Sequence, residues 1–187
     1  SYTALGGLLN TGTISAQAVT NSQTVTANGI VSATALYIGP YATVPRLDLK
    51  AENVTSNSLT AAKIVASVDG IGTGSAFGVI VGANGNLPLI NVGQNASIVA
   101  TVNTSTIAPS KDIATVTRPF SLVSQAILDQ SGTLKTINNA GLIQSQNTTL
   151  IPGVGAQTSS ISNAINLAAG TTGGVTINNS GRILGHI

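Results

Sequence analysis

"TINNAGLIQS" (residues 136–145) returns downstream as "TINNSGRILG" (residues 176–185), with Thr, Ile, Asn, Asn and Gly in matching places. Neither decapeptide carries an acid or nucleophile of evident use, so the recurrence asks for a structural cause. A third copy lies near the start. Leu8-Leu9-Asn10-Thr11-Gly12-Thr13-Ile14 aligns without gaps on Ile137 to Ile143 and on Ile177 to Ile183. The shared frame is an apolar residue and, beyond it, Asn-x-Gly-x-Ile. Two looser copies end at Val54, from Leu47, and at Ile98, from Ile90.

The landmarks Ile14, Val54, Ile98, Ile143 and Ile183 are 40, 44, 45 and 40 residues apart. The flanks recur as well. Tyr37-Ile38-Gly39 before Pro45 resembles Ile80-Val81-Gly82 before Pro88, and Ala126-Ile127 resembles Ala164-Ile165. A fixed period of this length is the mark of a repeat architecture, in which each unit buries its apolar face only against its neighbours. Within a unit, short runs alternate in polarity and end at Gly or Asn, the pattern of brief strands joined by corners. Asn and Gly suit corners because both tolerate positive φ.

Composition agrees with an all-β fold. Only 6% of residues are charged, against about 25% in an average domain, while 42% are hydrophobic. Ser, Thr, Asn and Gln supply the polar surface, and Val, Ile and Thr favour pleated backbone. The chain of 187 residues is read as a single solenoid domain (1–187) of four to five degenerate repeats, in roughly eight or nine turns of about twenty residues. Two all-β architectures have units of 40 to 45 residues. A β-propeller is the alternative, but it calls for packed aromatics and Gly-His and Trp-Asp signatures. Here Trp is absent and the single His is His186. A right-handed parallel β-helix explains more: Ile14, Val54, Ile98, Ile143 and Ile183 form one buried file. Asn10, Gly12, Asn139, Gly141, Asn179 and Gly181 then make corners and amide ladders. Handedness is expected from the preference of parallel crossover connections.

"AILDQSGTLKTINNAGLIQS" and "AINLAAGTTGGVTINNSGRILGHI" resemble the degenerate repeats of bacterial autotransporter passenger regions and related large surface β-helix proteins. The resemblance spans most of the chain and is strongest over residues 120–187. It implies a right-handed parallel β-helix displayed outside the cell, associated with the outer membrane. The implied role is a structural or adhesive rod or fibre segment. Both ends stop within repeat-like sequence, so a fragment or a subunit covered by neighbours is expected. The expected partners are further copies end to end, surface glycans, and host or abiotic surfaces. No barrel segment of the autotransporter type is present.

Chemistry is sparse. Zero Cys excludes disulfides and thiolate metal sites, and a net charge of +2 gives no nucleic-acid footprint. No apolar run approaches the roughly 18 residues of a membrane span. The carboxylates Asp48, Glu52, Asp69, Asp112 and Asp129 are scattered, and lone His186 assembles neither metal site nor triad. Neither enzyme activity, cofactor nor metal is expected. The alternative is a polysaccharide-binding module or lyase, signalled by Arg46, Lys50 and a carboxylate of the adjacent turn meeting in a groove. The bland reading of Arg46 to Glu52 is a solvated, self-paired charged strip.

Asp69 to Ser75 is glycine-rich but lacks the phosphate-loop and dinucleotide signatures, and reads as a corner. Asn53, Asn95, Asn103, Asn147 and Asn178 head Asn-x-Ser/Thr triplets, which matter only in a glycosylating compartment. Recognition, where it occurs, is expected in the longer connections at 104–121 and 146–163.

Overall fold

The computed structural model describes residues 2–3, 6–19, 30–55, 58–70, 73–103, 120–148, 157–167 and 174–187. The chain opens with β1 (Tyr2–Thr3) and then runs β2 (Leu8–Asn10), β3 (Thr13–Val19) and β4 (Ile30–Ile38). After β5 (Ala42–Thr43) come β6 (Leu47–Leu49), the pair β7 (Glu52–Thr55) and β8 (Ser58–Thr60), then β9 (Lys63–Asp69) and β10 (Thr73–Val81). The next set is β11 (Leu89–Val92), β12 (Ser97–Asn103) and β13 (Phe120–Asp129), followed by β14 (Thr136–Asn139), β15 (Leu142–Thr148) and β16 (Gln157–Asn166). The last are β17 (Thr176–Asn179) and β18 (Arg182–Leu184).

Fourteen of these strands pair into three large sheets, and β1 with β5 and β7 with β8 make two-stranded pairs. The first has the order β17-β14-β11-β6-β2, the second β18-β15-β12-β9-β3, and the third β16-β13-β10-β4. All three are parallel throughout. The chain thus visits first, second and third sheet in the same order, circuit after circuit, a solenoid-like arrangement. Only β7 and β8 pair antiparallel among the described strands. The antiparallel blades that a propeller is built from do not occur among the described residues.

The core lies between the sheets. Leu47, Ile90 and Ile137 of the first sheet, Ile64, Ile98 and Ile143 of the second, and Val79, Ile127 and Ile165 of the third belong to one buried cluster. Stacked register makes files. Leu8, Leu47, Ile90, Ile137 and Ile177 follow one another in the first sheet. Ile14, Ile64, Ile98, Ile143 and Ile183 do so in the second. Ile64, Ile98 and Ile143 are fully buried, while Ile14 and Ile183 on the outermost rungs are half-buried.

Val54 is not in that file. It lies in β7, which pairs only with β8, and Ile64 holds the place assigned to it. The cause is an inserted antiparallel pair, Glu52–Thr55 with Ser58–Thr60, that delays the second-sheet strand. The turn length is corrected too. Register partners Leu8 and Leu47, Leu47 and Ile90, Ile90 and Ile137, and Ile137 and Ile177 are separated by 39, 43, 47 and 40 residues. A circuit therefore consumes a whole repeat and not half of one. Three strands, one of them nine or ten residues long, leave a twenty-residue turn too short to close.

That long third strand explains the Ala-Ile recurrence. Pairing skips one position in every rung, between Phe77 and Val79, Thr34 and Leu36, Gln125 and Ile127, and Asn163 and Ile165. The skipped residues are Ala35, Gly78, Ala126 and Ala164. On one side of the break, Ala76 and Leu122 pack with Ala66, Ala100 and Val102 of the second sheet. On the other, Val79, Ile127 and Ile165 join the residues that face the first sheet. The strand bends there to face both neighbours, and small residues let it: a Cβ on Gly78 would sit 2.6 Å from the Ala126 carbonyl oxygen.

Ile98 sits mid-file with its neighbours buried on both sides. Ile98→Ala is expected to lower unfolding free energy by about 3 kcal/mol, from lost transfer energy plus the cavity left behind. Ile14→Ala, on the outermost rung, should cost less than half of that. Urea denaturation of the two variants checks the ratio.

Candidate functional site: the stacking corner and its amide ladders

The corner from first to second sheet carries the repeated phrase. Asn10 Oδ1 accepts the Gly12 N–H at 3.1 Å, and its Nδ2 donates to the Lys63 carbonyl at 3.1 Å. Asn139 repeats both bonds: Oδ1 accepts the Gly141 N–H at 3.2 Å and Nδ2 donates to the Arg182 carbonyl at 3.1 Å. Lys63 pairs with Thr13 and Arg182 with Leu142, so the acceptor stands in the same place one circuit later. Each Asn closes its own corner and hooks the next. Both are buried, where an unpaired amide would be costly.

Glycine at the third position serves close approach. A Cβ on Gly141 would fall on the Ala96 carbonyl oxygen and 2.5 Å from that of Gly93; one on Gly181 would fall on the Gly141 carbonyl oxygen. A Cβ on Gly12 meets nothing within 4 Å. The Cβ direction points toward the preceding circuit, and Gly12 belongs to the first.

Asn10, Asn139 and Asn179 do not make one continuous ladder. Asn139 Nδ2 donates to Asn179 Oδ1 at 2.7 Å, but Leu49 and Val92 occupy the intervening rungs between Asn10 and Asn139. The longer ladder runs on the outward side, through residues that the sequence does not mark as ladder members. Asn178 Nδ2 donates to Asn138 Oδ1 at 2.8 Å, Asn138 Nδ2 to Asn91 Oδ1 at 2.8 Å, and Asn91 Nδ2 to Asp48 Oδ1 at 2.6 Å. Every amide points its donor the same way, and the row ends on a group that only accepts. Arg46 Nε holds the other oxygen of Asp48 at 2.7 Å. The signal for this ladder was the middle letter of the phrase, Asn138 and Asn178 at matching places. The ladder borders a shallow groove of about 580 Å³ between Asn91, Asn138 and Asn178 and the corner backbone of Gly93, Ala140 and Ser180.

Two further carboxylates also serve architecture. Asp69 accepts from Gln17 at 3.1 Å and from Asn103 at 3.0 Å, one circuit to either side. Asp129 is fully buried and collects the Ser131 N–H, the Ser131 hydroxyl, the Gly132 N–H and the Leu134 N–H at 2.6 to 3.1 Å. Asp48, Asp69 and Asp129 thus lie in three different sheets. The grouping that a lyase would need does not form there: register neighbours of Asp48 are Leu9 and Asn91. The charged strip is shorter than expected, since Glu52 begins the separate antiparallel pair. No group of three His, Cys, Asp or Glu suited to a metal occurs among the described residues.

In the glycine-rich stretch at 69–75, Asp69 ends β9 and Thr73 to Ser75 belong to β10. Gly70 has φ 143° and donates its N–H to the Asn103 carbonyl at 3.0 Å; residues 71–72 lie outside the described residues. His186 works through its backbone, donating to the Ser162 carbonyl at 3.0 Å and accepting from the Ala164 N–H at 2.8 Å. Among the Asn-x-Ser/Thr triplets, the amides of Asn103, Asn147 and Asn178 are hydrogen-bonded, whereas Asn95 stands exposed in a left-handed corner with φ 61°. Asn53 is in β7. Of the connections proposed for recognition, 104–119 and 149–156 lie outside the described residues, and the remainder is strand.

Asn138→Leu removes the ladder's middle member and leaves the Asn178 donor and the Asn91 acceptor facing a hydrocarbon. The expected loss is about 1 kcal/mol, since the row is half-exposed and water replaces part of it. Thermal unfolding checks this, and an unchanged midpoint would mean that the ladder contributes nothing.

No protein-family profile matches this chain, and neither the curated proteins nor the solved structures contain a significant match.

Proposed function

We propose that this chain is a segment of an extracellular structural rod of a bacterial surface, a right-handed parallel β-helix without enzymatic activity. Its work is mechanical and adhesive: backbone ladders and apolar files hold circuit on circuit, while largely uncharged faces contact neighbours. The observation that carries this reading is the identity of the two outer rungs. Leu8 to Ile14 on one edge and Ile177 to Ile183 on the other share the frame apolar-x-Asn-x-Gly-x-Ile. β2 and β17 are the terminal strands of the first sheet, β3 and β18 those of the second. Unpaired parallel edges are templates for further strands. A further rung, whether from the same polypeptide or from a second copy, seats there as Asn179 to Ile183 seats on Asn139 to Ile143. Placement outside a bacterial cell rests on the resemblance to autotransporter passenger repeats. Engagement of Asp48, Asp69 and Asp129, three of the four described carboxylate side chains, in structural hydrogen bonds supports a non-enzymatic role.

Electron microscopy with sedimentation velocity tests it. The expected result is rods that lengthen with protein concentration. Gly12→Val, which meets open space in a single copy but the backbone of a copy stacked beneath, should abolish the lengthening and leave the monomer folded. Compact particles of one size at every concentration would contradict the assembly reading.

A further inference from the structure

The corner from third to first sheet holds two exposed tyrosines, in a chain with 3% aromatic residues. Tyr37 is 55% exposed and Tyr41 is 70% exposed. β4, which carries Tyr37, is the terminal strand of the third sheet, and Tyr41 stands in the turn that follows it. Tyr37 points outward beside its register partner Ile80, and its ring lies across two glycines, one in its own circuit and one in the next. A Cβ on Gly39 would come 3.5 Å from ring atom Cε1, and one on Gly82 would come 2.5 Å from the hydroxyl oxygen and 2.7 Å from Cε2. The missing side chains make a seat that holds the ring and leaves much of it open to solvent.

Tyr41 is stranger. Its φ is 63°, in the left-handed region that Gly and Asn enter readily and bulky residues do not. The equivalent corner position, three residues after the paired Ile38, Val81 and Asp129, is Asn84 (φ 63°) in the second circuit and Gly132 (φ 70°) in the third. Two circuits use the residues this backbone prefers; the first uses a tyrosine whose ring stands mostly in solvent. Held strain at an exposed aromatic marks a binding role before a packing one.

We propose that Tyr37 and Tyr41 form an aromatic platform for a neutral polysaccharide. Exposed rings stack on the apolar C–H faces of sugar rings, and Asn84, whose backbone carbonyl accepts the Tyr41 N–H at 2.9 Å, brings an exposed amide to the same corner, with the donor and acceptor that hydroxyl groups need. The nearest charges along the chain, Arg46 and Asp48, neutralise each other in an ion pair, which favours an uncharged ligand over an acidic one. The platform is independent of the assembly reading and stands whether or not copies stack.

The chain has three tyrosines and no tryptophan; two of the three stand in this corner, so the change in emission that is lost in Tyr37→Ala and Tyr41→Asn reports on it. The test titrates the intact, dilute chain with hydroxyethylcellulose, galactomannan, xyloglucan and dextran, with polygalacturonate as the acidic control. Emission and retardation in affinity gels are recorded together. Saturable binding of at least one neutral polymer is expected. Tyr37→Ala and Tyr41→Asn should each weaken it about tenfold. Tyr41→Asn should leave the unfolding midpoint unchanged or raised, because Asn suits the backbone better. Gly82→Ala displaces only the far end of the Tyr37 ring and should weaken binding with the fold intact. Absence of binding to all four neutral polymers, tighter binding to polygalacturonate, binding untouched by both tyrosine substitutions, or a lowered midpoint in Tyr41→Asn would each overturn the proposal.

Discussion

Replacing Gly141 by alanine is expected to lower unfolding free energy by about 3 kcal/mol, while the same replacement at Gly12 leaves it unchanged or raises it by up to about 1 kcal/mol. The two glycines occupy the same place in the same phrase, so local propensity assigns them the same outcome. Stacking separates them. The new methyl at position 141 would collide with the carbonyl oxygens of Ala96 and Gly93. Those carbonyls are already committed, Ala96 to the Leu142 N–H and Gly93 to the Ala96 N–H, each at 3.0 Å. Relief therefore means moving hydrogen-bonded backbone, not turning a side chain. At position 12 the methyl enters open space, and the backbone is not in the left-handed region. Alanine there mainly restricts the unfolded chain. Guanidinium denaturation of both variants measures the contrast, and equal effects would remove the stacking explanation.

The second large effect is expected at Asp129. Its carboxylate is fully buried and accepts hydrogen bonds from four donors, which together shape the turn from β13 toward β14. Asp129→Ala strands those donors and is expected to cost about 3 kcal/mol or more. Asp129→Asn keeps the shape and one acceptor but turns an N–H₂ toward the donor of Leu134 or Ser131; about half that loss is expected. By contrast Asp69→Asn, on the surface between Gln17 and Asn103, should cost less than about 1 kcal/mol. Unfolding curves for the three variants check the ranking.

What the sequence disclosed depended on which residues have few alternatives. Asn-x-Gly was legible because glycine at a close approach and asparagine at a buried corner admit few substitutes. The Ala-Ile recurrence was visible, but its meaning was not. That a small residue marks a bend facing two sheets emerges only from the skipped register at Ala35, Gly78, Ala126 and Ala164. Val54 was placed in the inner file because Leu47-Asp48-Leu49 continues into another alternating run. Nothing local distinguishes a strand of the sheet from an antiparallel pair inserted beside it, and Ile64 was passed over. The turn length failed for a related reason: a period of about forty residues fits two short turns or one long one, and only pairing decides. The Asn91–Asn138–Asn178 ladder stayed hidden because outward polar residues need no partner in order to be polar. The tyrosine corner showed only as the Tyr37-Ile38-Gly39 recurrence, which register bears out; Tyr41 left no signal, since a single Tyr among Asn and Gly counterparts looks like drift until its φ is known.

The central claim is that successive circuits lie directly on one another, each one a full repeat long. Spin labels on cysteines introduced at Leu9 and Asn178 test it most directly, in a chain with no native Cys. Both residues are exposed and occupy the same outward file of the first sheet, at its two ends. Four strand spacings separate them, so a narrow distance distribution centred near about 19 Å is predicted, at roughly 4.8 Å per rung. A broad distribution, or one centred near the roughly 38 Å that eight shorter turns would span, would contradict the account.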